Sequence, residues 1–247
     1  ICCIAIGNLT SELTSTSLAL VPALFILIIL FLSRSFSLMH DCGHHSLFRS
    51  KTANRIAAFL LSIVHAMPHH PWSRGHAFHH KHNGNWNRYR GPSALTTRRE
   101  YEARNKSSQL IYQFLRHPLI LLPGGFYYLV IKPRAALLFG LIELITNAFA
   151  DAFRKLSSGQ TFNIISFIDN HKSSFFYTKG EVYDTTANSF CVLLAWYWIG
   201  NTIGHWHFWI LYSAIMSFSA AIMIAVFFIQ HNFPESYASG DRDWSYF

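Results

Sequence analysis

Charge is scarce in this 247-residue chain: Asp, Glu, Lys and Arg make up 13% of it, against about a quarter in a typical soluble domain. Two long stretches hold none at all. Leu13 to Ser33 is free of acidic and basic residues, and so is Thr185 to Gln230. Cysteine is also sparse. Cys2, Cys3, Cys42 and Cys191 form no C-x-x-C pair and no disulfide ladder, so they read as ordinary apolar residues. The net charge of +8 lacks the basic face or stacking platform that nucleic-acid binding needs, and nucleic acid is excluded as a partner. There is no internal repeat and no low-complexity linker, so residues 1–247 are expected to form one domain. The chain shows no signal-peptide layout and opens at Ile1 without a methionine, which leads to the expectation that it is a piece of a longer protein.

Hydrophobic residues fill 51% of the sequence, and their arrangement predicts an all-α integral membrane protein. Leu13–Ser33 has the length of one membrane-spanning helix. The second uncharged run is too long for one helix and is expected to divide into two spans. These lie near Ala187–Ile203 and Phe208–Ile229, around a Gly204-His205-Trp206-His207 turn. Arg34, Arg49, Lys51 and Arg55 gather just past the first span, which places that end in the cytoplasm by the positive-inside rule. Ile56–Met67 is too short to cross and reads as interfacial or re-entrant. His117–Ile131 carries Pro123-Gly124-Gly125, and Ala135–Ala150 carries Glu143 at its middle; both are expected to stay out of the membrane. A carboxylate there requires either an interfacial position or a partner.

Against this apolar background, ten of the fifteen histidines fall between His40 and His82. His40-Asp41-Cys42-Gly43-His44-His45 sets imidazoles at i and i+4. His76-Ala77-Phe78-His79-His80 sets them at i, i+3 and i+4. On a helix either spacing brings ligand nitrogens to one face, about one turn apart. Two such helices meeting face to face would make a multi-histidine metal cage. His65, His69 and His70 repeat the pattern, but Pro68 and Pro71 are expected to break the helix that would align them. Those three read as polar residues at a segment end, and His205 and His207 as interfacial residues on the opposite side.

The stretch His40 to Phe48 resembles the first histidine box of the membrane fatty acid desaturases. Pro68, Trp72 and His76-Ala77-Phe78-His79-His80 are similar to the second, in the order found in acyl-lipid desaturases, and Gln230-His231-Asn232-Phe233 resembles a further ligand segment. The resemblance runs in order over nearly the whole chain. It implies two iron ions and O2 as co-substrate, used to place a double bond in a fatty acyl chain on an acyl-lipid or other acyl carrier. Zinc, which has no redox states, would not serve. The ligand roles it implies fall on His40, His44, His76, His79, His80 and His231, with His45 as an alternative to His44. Asp41, His82 and Asn83 are candidates for holding those imidazoles from behind. Trp72 and Trp86 read as interfacial packing residues. The electron donor implied is a separate protein of ferredoxin or cytochrome b5 type, since no haem motif is fused here.

The chain departs from the family in one respect. No third H-x-x-H-H box follows His231, so both ends are expected to be truncated and the 247-residue chain to be inactive by itself. A related histidine-box enzyme that hydroxylates a lipid, alkane or carotenoid fits the same ligands. A metal transporter or sensor fits less well, because its spans would carry ionisable residues and the two uncharged stretches carry none.

Overall fold

The computed structural model describes residues 15–85, 87–88, 96–231 and 238–245, with the side chains of 15–19 and of His231 left out. Among these residues the protein is helical throughout, apart from one isolated bridge between Asn85 and Ser239. Helix α1 (Ser15–Gly43) runs without interruption through Arg34 into the first histidine box. At 1.5 Å per residue it is about 43 Å long, against roughly 30 Å for a bilayer's hydrocarbon core. A buried asparagine shapes the corner that follows. Asn54 Nδ2 donates to the Phe48 carbonyl (2.6 Å) and the Ser50 carbonyl (2.9 Å), while Asn54 Oδ1 accepts from the Phe48 N–H (3.1 Å). Ser50 caps α2 (Lys51–Val64), which then packs back on α1.

His65 closes α2, and Ala66 turns the chain at φ +50°. Helix α3 (His69–Lys81) begins immediately after Pro68. Pro71 does not break it, because in the first turn of a helix its missing N–H has no partner to lose. His69, His70, His76, His79 and His80 therefore share one helix, contrary to the reading in which the prolines part them.

Short helices α4 (Arg98–Glu102) and α5 (Lys106–Phe114) lead to α6 (Pro118–Phe126). A π-turn over Tyr127–Ile131 joins α6 to α7 (Lys132–Ser157), so the two apolar pieces expected to be separate form one nearly continuous helical run. Pro133 falls in the first turn of α7, again where a proline costs least. Glu143 on α7 does have partners: the Ser173 hydroxyl donates to it at 3.0 Å, and the Ser174 N–H at 3.0 Å. After α8 (Ile164–Asn170) come α9 (Lys179–Ile203) and α10 (His205–His231). They part at Gly204, whose φ of +85° suits glycine alone among common residues, and this is the division expected from the sequence.

The core lies where α1, α9 and α10 meet the corner before α3. Leu32, Phe36 and Met39 pack there with Met67, Val192, Ile215 and Met216. Arg134 reaches into it from α7 and donates to the Ala66 carbonyl and to Asn188 Oδ1 (2.9 Å). Asn188 Nδ2 in turn donates to Ser62 Oγ at 3.0 Å. Helices α1 and α10 are the two described helices long and apolar enough to cross a membrane; α9, with polar residues in its first half, is not one of them.

Candidate metal centre

The end of α1 and the middle of α3 face each other, and four imidazoles fill the space between. One ring nitrogen from each of His40, His44, His76 and His80 lies within 4.8 Å of all the others. His44 Nε2 is 3.2 Å from His76 Nε2, and His80 Nε2 is 2.9 Å from the same atom. Among the described residues, no carboxylate or thiolate joins the four.

The electrostatics favour the neutral form of two of these rings. Burial pushes His76 down to about 3, helped by the neighbouring imidazoles of His80 and His40. Burial followed by His40 also lowers His44. Near neutral pH both rings are free bases, the form in which imidazole binds a metal.

Other residues singled out from the sequence lie around this group. Asp41 Oδ1 is 3.4 Å from His40 Nδ1, on the outer side of a ring of the cluster. His79 is not one of the four; its ring lies along that of His76 at 6.0 Å. His45 sits past the end of α1 at φ +56°, exposed and outside the group. His82 is buried at the end of α3, with Nδ1 3.0 Å from the Phe78 carbonyl and its ring along that of Trp244. The Asn83 carbonyl accepts from Trp244 Nε1 at 2.9 Å. His231 ends α10, but its side chain is outside the described residues, as are Trp86 and Asn232–Phe233.

Trp72 stacks on His76 (4.8 Å, 11° between planes) and packs edge-on against Phe36 (5.5 Å), backing the cluster. Its position one helical turn before His76 was the available signal. His65 is fully buried and pairs with Ser35 Oγ at 2.7 Å, tying the α2–α3 corner to α1. His69 Nε2 is buried without a hydrogen-bond partner among the described residues.

A family model described as fatty acid desaturase matches residues 15–247. The chain belongs to the fatty acid desaturase family. A fatty acid desaturase of Bacillus subtilis (strain 168) is 27% identical over 217 residues, covering 87% of this chain and 51% of that protein. A probable fatty acid desaturase of Sorghum bicolor is 32% identical over 93 residues, 38% of this chain and 24% of its own length. A Delta(12) fatty acid desaturase of Mortierella isabellina is 40% identical over 47 residues, 19% of this chain and 12% of the relative. The chain thus spans about half the length, or less, of these curated relatives. No solved structure matches.

Proposed function

We propose that the protein containing this chain introduces a C=C bond into a fatty acyl chain, using O2 at a histidine-held di-iron centre. The observation that carries the reading is the convergence of His40, His44, His76 and His80 from two helices whose sequences resemble the family's histidine boxes. The donor set suits the metal. Imidazole is a good ligand for iron, the His44 and His76 rings are held as free bases, and among the described residues no thiolate competes to select zinc or an iron–sulfur cluster. Four imidazoles are too few for two irons, so His79, His231 and further donors complete the set, with His45 as an alternative to His44.

Bound iron supplies the redox chemistry that an unactivated C–H bond demands and that no side chain offers. Two hydrogens leave the acyl chain, and reducing O2 to two waters takes two more electrons. A separate ferredoxin- or cytochrome b5-type donor therefore belongs to the proposal. The protein's own part is to orient the rings. Asp41 accepts from His40 Nδ1–H and leaves Nε2 free to bind, and Trp72 fixes the plane of His76. The enzyme is multi-pass, with both boxes at the cytoplasmic surface, as the exposed Arg34, Arg49, Lys51 and Arg55 support.

The test is to express the complete protein in a desaturase-null host and profile its membrane fatty acids. A new double bond that disappears with His76→Ala is the expected result. Unchanged unsaturation, or the same profile from the variant, overturns the reading. A hydroxylated product would assign the related hydroxylase chemistry instead.

A further inference from the structure

Helix α3 carries three of the expected ligands, yet none of its thirteen residues is buried. Trp72 packs against Phe36 from its first half, but no fully buried side chain locks its rotation or its axial position. Its own N-terminus is also undercapped, because Pro68 at the cap position has no side chain that can accept a hydrogen bond. Something else must hold the helix so that His76 and His80 meet His40 and His44.

That hold comes from the first turns of α9, more than a hundred residues further along the chain. Asp184 Oδ2 accepts the His70 N–H at 2.8 Å, putting a carboxylate at the positive end of α3 where Pro68 offers none. Glu181, only 1% exposed, accepts from Arg74 Nε and from the Tyr177 N–H (2.9 Å). The Arg74 guanidinium lies 3.9 Å from the centre of the Tyr177 ring, so it is gripped from two directions. Gly180 leaves room for the His70 ring at this contact. A Cβ there would stand 2.9 Å from His70 Cε1.

We propose that Glu181 and Asp184 are positioning residues for the metal centre: a carboxylate clamp on α9 that sets α3 in register with α1. The proposal rests on the reading that the four histidines hold iron. The clamp touches neither substrate nor metal and acts through α3 alone. Breaking it should loosen α3 and lower metal retention and turnover without changing how the acyl substrate is bound.

The test uses the complete protein, purified with its metal, as wild type and as Glu181→Gln, Asp184→Asn and Glu181→Asp. Asp169→Asn serves as a control, removing an exposed ion pair with Lys179 at the start of the same helix. Amide exchange should quicken across residues 69–81 in the Gln and Asn variants but not across 51–64. Bound iron per protein and kcat should fall about tenfold, in line with other outer partners of metal ligands, with KM within twofold. Glu181→Asp should recover part of the loss. If Glu181→Gln does not accumulate, Asp184→Asn, which neutralises the carboxylate at the N-terminus of α3, gives the answer. Wild-type exchange, or wild-type iron and kcat, in Asp184→Asn overturns the clamp. A KM rise equal to the kcat loss overturns it as well. A wild type with neither iron nor desaturation fails the reading beneath and takes the positioning role with it, whereas an active wild type beside indifferent variants sinks the clamp alone.

Discussion

A buried imidazole with one hydrogen-bond partner does best uncharged, and His65 is the clearest instance in this fold. It is fully buried, and desolvation alone brings it down from the usual 6.5 to about 4. The folded state therefore prefers the neutral ring. The resulting stability is complete above pH 6.5 and is lost as pH falls from there towards 4, because the unfolded chain takes up the proton first. The shift corresponds to on the order of 3 kcal/mol. His65→Gln keeps a nitrogen facing Ser35 but cannot titrate. Thermal unfolding followed between pH 7 and pH 4 should show the gap between wild type and variant shifting by that amount in the variant's favour on acidification. A gap independent of pH would refute the assignment. The histidines of the metal centre differ in that several rings face one another, and the preference of His44 and His76 for the neutral form leaves nitrogens open to a cation.

At the scale of elements, the legible features were those encoded locally. Ligand spacing within one turn marked the ends of α1 and α3, and the division at Gly204 followed from the length of the uncharged run. Two things were not legible. Pro71 read as a breaker, yet it falls in the first turn of α3, where position rather than residue type decides. Glu181 and Asp184 meet α3 across more than a hundred residues, which no local spacing encodes. Glycine tests the same distinction with opposite signs. Gly204→Ala forces a side chain into φ +85° and should cost about 1–3 kcal/mol. Gly75→Ala, inside α3 with open space around it, should instead stabilise the protein by about 0.5–1 kcal/mol. Melting temperatures moving apart in this way would support the two backbone assignments, and a fall for both would contradict that of α3.

For the whole molecule, the short return after α10 settles which ends belong together. Ser239 N–H donates to the Gly84 carbonyl at 2.8 Å. Asp241 Oδ1 accepts from Asn85 Nδ2 (2.9 Å) and Arg88 Nε (2.8 Å). Seven residues lie between His231 and Ser239, and the eight Cα steps reach about 29 Å at most, less than the roughly 39 Å of helix in α10. The C-terminal end of α10 therefore lies within that reach of Gly84, just past the end of α3. On the proposed topology, with His231 and the boxes on one face, an even number of crossings separates Gly43 from His231, and α10 needs a companion. Helix α9 is the natural one: its buried Thr185, Asn188 and Ser189 turn inward, while Phe190, Leu193, Tyr197 and Trp198 face outward. Arg134 meets Asn188 on the inward side, which explains how a crossing helix can carry so many polar residues. This topology predicts sidedness. With the native cysteines replaced by serine, Arg49→Cys should react with a membrane-impermeant thiol reagent only from the cytoplasmic side, and Trp206→Cys only from the opposite one. Labelling of both from the same side would mean that α9 and α10 do not cross as a pair.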